Sequence, residues 1–322
     1  MYSDVQRSNR YTRRLLDFIK CEYEIETGSV TPAKRGYYGE TWRADATNNS
    51  YFIKLDYSAV HKTIYERSFP VVEHLHNHGI GFISRIVKAK EGSLFTSFAG
   101  AVLGVFDWID GENIQNEQTK IAEYSILGKV YAVPPSGLSF SREEFSSASA
   151  DLFFRQWDKL KITPDDSSKR ILSIFEQHRE RLTHRAERLA IFADRCKADT
   201  SHFYITHGDA GGNVIRNGDD FHLVDWDDPR LAPPERDAWF CLHLDWATTA
   251  FNETLRENGI SYTLRPERLA YYCYHVFFFY LTEYMQTYFD IGNPTSSVSA
   301  ALSEYFDCWI EEEIRYADNN YL

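Results

Sequence analysis

The stretch of the chain most able to do chemistry is THGDAGGNVIRNGDDFHLVDWDD, residues 206–228. Asp209 follows a His-Gly pair, Asn213 comes soon after, and Asp225 closes a short apolar run. FYIT reads as a strand entering the His-Gly-Asp turn. NVIR and FHLV, joined at Asn217-Gly218-Asp219-Asp220, read as a hairpin. That hairpin delivers Asn213 at the start of one strand and Asp225 at the end of the other. Two oxygen ligands converging on one point suit Mg²⁺, which takes few carboxylates and fills its shell with phosphate and water oxygens. Asp209 beside them would orient an acceptor hydroxyl. In phosphoryl transfer the protein mostly positions groups and neutralises charge, so this small set is enough. The plainer reading makes HGD and NGDD turn residues and Asp-Trp-Asp a solvated strand end. The parts occur together and in order around a hairpin, which favours the chemical reading.

The elements that must position these residues follow from pattern. Residues 11–24 form a first helix with Leu15, Leu16, Phe18 and Ile19 on one side. ETWRAD and YFIKLD alternate on either side of the turn cluster Thr47-Asn48-Asn49-Ser50, which predicts a hairpin. A helix is expected over 63–78, ending at Gly79, with Pro70 as a potential break. Further strands are expected in ISRIVKAKEGSLFTSFAGAVLGVFDWI, up to Asp110-Gly111. Beyond it helices are predicted over 116–132, 143–160, 167–197, 235–253, 266–289 and 297–316. A sheet-rich first third before a helix-rich remainder is an α+β pattern. The lobe boundary is placed there, with residues 1–109 as one lobe and 110–322 as the other.

Composition narrows the function. The 322 residues carry a net charge of -12, which argues against a nonspecific nucleic-acid binder and fits a cationic small-molecule partner. Asp228, Glu235, Asp245 and Glu283 are candidates to line a cleft for such a cation. The five cysteines form no CxxC pair, so a reducing cytoplasmic setting is expected, without a disulfide framework or zinc site. The N-terminus shows no apolar signal segment. The most apolar run, Leu269 to Phe289, is broken by His275, Glu283 and several Tyr, so it reads as a buried helix rather than a membrane span. There is no Walker A motif.

His207, Asp209, Asn213 and Asp225 together resemble the His-x-Asp, Asn and strand-terminal Asp of the aminoglycoside phosphotransferase and choline kinase superfamily. VDWDDPRLAPPERDAWF and YFIKL are most similar to its spectinomycin phosphotransferase branch. The resemblance implies a two-lobed protein-kinase-like fold, with an antiparallel β-sheet plus helix in the N-lobe and a mainly helical C-lobe. Nucleotide would bind the N-lobe, and catalysis and acceptor binding would fall to the C-lobe. It implies ATP or GTP and Mg²⁺ as cofactors. Asp209 would be the catalytic base or hydroxyl orienter, and Asn213 and Asp225 would hold the metal. Lys54 would contact the α and β phosphates and pair with Glu66 on the following helix. Glu73 takes that place if the helix begins at Pro70. Gly36 and Gly39, in Lys34-Arg35-Gly36-Tyr37-Tyr38-Gly39, would turn over the phosphates. Asp107, Trp108 and Ile109 would form the hinge that receives the adenine edge. Asp227 is a second metal-side carboxylate or a substrate contact, and Asp228 is a further substrate-side candidate.

One departure stands out. The family spaces its catalytic Asp and Asn as D-x-x-x-x-N, whereas Ala210-Gly211-Gly212 alone separate Asp209 from Asn213. Gly211 and Gly212 can adopt backbone angles closed to other residues, so a tightened but active loop is expected. The leading expectation is a kinase of a small hydroxylated molecule, an aminocyclitol or aminoglycoside such as spectinomycin. The alternatives are a metabolite kinase of the choline, homoserine or sugar type, and a nucleotide-binding pseudokinase.

Overall fold

The computed structural model describes residues 7–33, 39–139, 141–162, 165–241, 243–291, 296–308 and 310–321. In chain order the first elements are α1 (Asn9–Tyr23), β1 (Thr27–Pro32), β2 (Glu40–Ala46), β3 (Ser50–Asp56), α2 (Ala59–Asn77), β4 (Thr96–Phe98), β5 (Ala101–Asp107) and α3 (Glu117–Tyr131). Then come β6 (Ser141–Arg142), α4 (Ala148–Ile162), α5 (Asp166–Gln177), α6 (Arg179–Lys197), β7 (Tyr204–Thr206), β8 (Val214–Asn217), β9 (Asp220–Leu223) and β10 (Arg230–Ala232). The last are α7 (Glu235–Ala238), α8 (Asp245–Glu257), α9 (Pro266–Ile291), α10 (Ser296–Tyr305) and α11 (Ile310–Asn320). The fold is α+β, with an antiparallel sheet early and helices late. Its contacts divide it into two compact units, 1–141 with 207–230, and 142–206 with 231–322.

In the first unit the sheet order is β1-β2-β3-β5-β4, which puts β3 in the centre. The β2–β3 hairpin turns where the Asn-Ser cluster predicts, and its register sets Thr41 opposite Lys54 and Trp42 opposite Ile53. Alternation then sends Trp42, Ala44, Ile53 and Leu55 into a core with Leu103 and Val105. Helix α1 closes that core with Leu15, Ile19 and Tyr23, spaced four apart on one face. Ser8 caps its start by accepting from the Tyr11 amide. Of the strands expected between Ile83 and Ile109, β4 and β5 form. Ile83 and Ile86 make isolated bridges, to Leu223 and Phe106.

Helix α2 begins at Ala59, earlier than the expected 63, and runs straight through Pro70. Proline deprives the Glu66 carbonyl of its helical donor, but Glu66 lies on the exposed side, where water can replace it. Two turns of α2 then lie against the sheet because Gly104 has no side chain. A Cβ at Gly104 would come within 2.8 Å of the Phe69 ring. That close approach sets Tyr65, one turn earlier, over β3.

The second unit gathers around α9, which packs against α4 and α6. The Leu269–Phe289 run is a buried helix, with Tyr272, Tyr274, Phe277, Phe278 and Leu281 in the core. Phe278 lies 5.7 Å from Phe153 and Tyr274 5.8 Å from Phe192, ring to ring. Three long predicted helices are broken. The 167–197 helix divides at His178, 297–316 divides between α10 and α11, and 235–253 becomes a short helix, a 3₁₀ turn and α8. Among the described residues no helix is long and apolar enough to cross a membrane.

Gly39 enters β2 at φ 70°, and a Cβ there would run into the Leu55 carbonyl oxygen. Gly39→Ala should therefore lower the unfolding free energy by about 1–2 kcal/mol or more. Urea denaturation measures this; a wild-type midpoint would mean that the left-handed conformation is not required.

Candidate active site

Lys54 is the central charge of the site. Its ammonium donates to Asp225 Oδ1 at 2.8 Å and Asp227 Oδ2 at 2.6 Å, and Lys54 is 8% exposed. The backbone explains how two carboxylates so close in sequence reach one amine. Asp225 adopts φ 63°, an uncommon left-handed conformation for a non-glycine residue. The Asp227 amide donates back to the Asp225 carbonyl at 2.9 Å. Between them Trp226 turns inward, is buried, and donates its indole N–H to the Leu223 carbonyl at 3.1 Å. Burial opposes the charge on Lys54, but Asp227 and Asp225 outweigh it and raise its pKa. Burial pushes the Asp225 carboxyl up, and the Lys54 ammonium more than offsets this, so it titrates below its usual range. For Asp227 burial, reinforced by the neighbouring Asp225 charge, outweighs Lys54 and the pKa is raised.

His207 supports this arrangement from beneath. It is 2% exposed, its Nδ1 accepts the Asp209 amide at 3.2 Å, and its Nε2 donates to the Val224 carbonyl at 2.9 Å. Those partners fix the neutral tautomer with the proton on Nε2. The ring meets Trp226 edge-on, with centroids 4.6 Å apart. One imidazole thus ties the start of the Asp209 turn to the strand end that carries Asp225.

The short Asp209–Asn213 gap closes as a 3₁₀ turn over Ala210–Gly212. The Asn213 amide donates to the Ala210 carbonyl at 3.0 Å. Its side-chain Nδ2 donates to the Asp209 carbonyl at 2.6 Å and to Asp209 Oδ2 at 3.1 Å. A 3₁₀ turn is tighter than an α turn, so one residue fewer still brings Asn213 against Asp209. The expected glycine conformations are not used here, because among the glycines of the turn region only Gly208 has positive φ. Hairpin pairing of Val214 with Leu223, and the Val224 amide on the Asn213 carbonyl at 3.0 Å, then hold Asn213 close to the Asp225 strand. With Nδ2 occupied, Asn213 Oδ1 is the atom left to meet a cation. The donor set is one amide oxygen and the Asp225 carboxylate, with Asp227 alongside. Hard oxygen ligands, few in number, fit Mg²⁺ shared with phosphates. Among the described residues there is no group of three or more His, Cys, Asp or Glu able to hold a metal without such help.

Other expected residues fall differently. Glu66 is exposed on α2 and does not pair with Lys54, whose charge is already taken by Asp225 and Asp227. Glu73 pairs with Lys88 instead. At the expected hinge, the Asp107 amide donates to the Arg85 carbonyl and the Trp108 amide to the Ser50 carbonyl. The Asp107 carbonyl accepts from Ser84 Oγ at 2.6 Å. Among the described residues the Ile109 amide has no such partner. Gly36 lies outside the described residues, whereas Gly39 forms the entry to β2. Asp228 pairs with Arg230 at 2.8 Å. Glu235 is no cleft residue: it is fully buried and accepts from the Tyr262 hydroxyl at 2.7 Å and the Arg265 amide at 2.6 Å.

Sequence reasoning missed two features. Tyr65 places its ring 5.4 Å from Lys54 Nζ and donates its hydroxyl to Asp56 at 3.1 Å. The four-residue spacing from Tyr65 to Phe69 was the available signal. Buried Glu40 receives Arg7 and the Trp42 indole N–H, with Tyr11 also in reach. Its partners are too far apart in sequence to leave a pattern.

His207→Ala leaves the Val224 carbonyl without its donor and opens a void against Trp226. It should cost roughly 2–3 kcal/mol of unfolding free energy. Asp209→Asn, at an exposed side chain, should cost less than about 1 kcal/mol. Equal losses in chemical denaturation would contradict the supporting role given to His207.

The site can be set beside known proteins. The phosphotransferase enzyme family matches residues 29–272 of this chain. No curated protein matches it by sequence. Among solved structures, spectinomycin phosphotransferase in complex with ADP and spectinomycin is similar, with TM-score 0.76 and 20% identity, over 94% of this chain and 98% of that one. Choline kinase from Cryptosporidium parvum is similar with TM-score 0.62 and 10% identity, over 96% of each chain. Amicoumacin kinase in complex with AMP-PNP and Ca²⁺ follows at TM-score 0.61 and 15% identity, over 96% of this chain and 93% of that one. At such identities the likeness concerns the fold, whereas the family match spans most of the chain, and with it the whole run from Lys54 to Asp227: the chain belongs to the phosphotransferase enzyme family.

Proposed function

We propose that this chain transfers the γ-phosphoryl group of ATP, or of GTP, to a hydroxyl of a small molecule. An aminocyclitol or aminoglycoside such as spectinomycin is the favoured acceptor. The observation that carries the reading is the bonded pair of Asp209 and Asn213 across the 3₁₀ turn. It keeps Asn213 against Asp209 despite the missing residue, which weighs against a pseudokinase. The acceptor class draws support from the VDWDDPRLAPPERDAWF run and from the likeness to the enzyme solved with spectinomycin. The acidic balance of the chain agrees with a cationic acceptor. Residues 1–109 are assigned to nucleotide binding and 110–322 to catalysis and the acceptor, in the reducing cytoplasm.

Each residue has a role. Lys54 holds the α and β phosphates, and the Ile109 amide is the free hinge donor for a base edge. Asn213 Oδ1 and Asp225 would hold Mg²⁺, which would supply charge neutralisation to the transferring phosphoryl group. Asp209 orients the acceptor hydroxyl and takes its proton as the oxygen attacks the γ-phosphorus. The bond from that phosphorus to the β–γ bridging oxygen breaks, and ADP leaves with the bridging oxygen.

ADP release with Mg-ATP, measured against spectinomycin, aminoglycosides, choline, homoserine and sugars, tests the reading. One compound should stimulate release, and Asp209→Asn should lower it at least about 100-fold with ATP affinity unchanged. Asn213→Ala should raise the magnesium concentration needed for half-maximal rate. Release that survives Asp209→Asn, or a magnesium dependence untouched by Asn213→Ala, would remove those residues from their roles.

A further inference from the structure

The shortened Asp209–Asn213 turn is held by one neighbouring segment, the stretch from Gly111 to Glu123 that leads into α3 and begins it. Gly111, at φ 137°, lies so close to the β8–β9 hairpin that a Cβ there would come within 2.3 Å of the Arg216 carbonyl oxygen. Glu112 and Arg216 then exchange two backbone hydrogen bonds, at 2.9 and 2.8 Å. Asn113 Nδ2 donates to the Gly212 carbonyl, at the end of the 3₁₀ turn. The Lys120 ammonium reaches the same turn, where a Cβ on Gly211 would stand 3.4 Å from it. Gly211 has no left-handed φ, so its backbone does not call for glycine; what the absent side chain leaves is room for that ammonium. Helix stability does not account for Lys120. A cation near a helix N-terminus faces the positive end of the dipole. Its partner Glu123 accepts from it at 3.1 and 2.9 Å, with the two side chains 2% and 13% exposed. A buried ion pair of this kind returns little net stability once desolvation is counted.

We propose that Lys120, held by Glu123, is a positioning residue for phosphoryl transfer. Its ammonium takes the place of the side chain that the turn lacks at Gly211. Together with Asn113 it fixes the turn that sets Asn213 against Asp209. Both residues act on the turn and not on the nucleotide, so their loss falls on the rate of the chemical step rather than on ATP affinity. The consequence for turnover rests on the phosphotransferase reading, whereas the hold on the turn is measured without turnover.

The test is amide hydrogen exchange of the full chain, read by NMR at Asn213, whose amide closes the 3₁₀ turn on the Ala210 carbonyl. Two variants are compared with wild type. Lys120→Met with Glu123→Gln removes both charges together, so neither is left buried alone. Asn113→Ala removes an exposed side chain and leaves the core untouched. In each variant the Asn213 amide should exchange about tenfold faster or more, while the amides of β3 keep their wild-type rates. In ADP-release assays each variant should lower kcat about tenfold or more, with KM for ATP within about twofold of wild type. An unchanged Asn213 exchange rate in the Lys120 and Glu123 double variant overturns the proposal. So does equal acceleration throughout β3, which would make the pair a general support of the unit, and so does a wild-type kcat in that variant. A wild-type protein that releases no ADP with any acceptor would defeat the phosphotransferase reading instead, and faster exchange at Asn213 would still establish the hold on the turn.

Discussion

A lysine ammonium lifted out of water must have counter-charge at hand, and much of the first unit follows from that need at Lys54. Lys54 sits on the central strand, so it is buried by the sheet on both sides. An unpaired buried ammonium would lose its proton or unfold its surroundings. Asp225 and Asp227 prevent both, and they do so from a segment about 170 residues further along the chain. The left-handed turn at Asp225, the inward Trp226 and the Tyr65 ring all serve to bring this charge trio together.

The same economy governs the Asp209 turn. A loop shortened by one residue could have drawn Asn213 away from Asp209. A 3₁₀ turn takes up the difference, and the Asn213 side chain bonds both to the backbone and to the carboxylate of Asp209. His207 then couples this turn to the Asp225 strand through two hydrogen bonds from one ring. The Asp209 and Asp225 carboxylates are therefore referenced to a common buried ring rather than to separate loops. That is the condition for positioning catalysis, where misplacement by an ångström is expensive.

The sequence made legible those features that rest on local pattern. The alternation around Thr47–Ser50 gave the β2–β3 hairpin, and with it the central place of Lys54. The Asn217–Asp220 turn gave the hairpin that carries Asn213 and Asp225. What it concealed depends on rotation or distance. Helix α2 starts earlier than the expected residue 63, and its phase turns Tyr65 rather than Glu66 toward Lys54. Helix breaks at His178 and near Cys308 occur without proline or glycine, so no residue type announced them. Glu235 reads as a cleft-lining acid in sequence, yet it is buried, where the Tyr262 hydroxyl and the Arg265 amide satisfy one of its oxygens.

The ion pair at Lys54 also bears on how a phosphotransferase site can stand ready without nucleotide. Phosphate oxygens would replace the carboxylates as partners of Lys54, and a divalent cation would replace Lys54 as the partner of Asp225. Lys54 and Asp225 each keep a partner through the exchange, so for these two it avoids the penalty that makes isolated buried ions so costly. Asp227 is the residue that makes the exchange asymmetric. Its carboxyl pKa is raised whereas that of Asp225 is lowered, so with Lys54 between them Asp227 takes up a proton more readily than Asp225. The Asp225 shift comes from Lys54, so once phosphate draws the ammonium away a cation must take over that charge for Asp225 to stay ionised, the state a metal ligand requires.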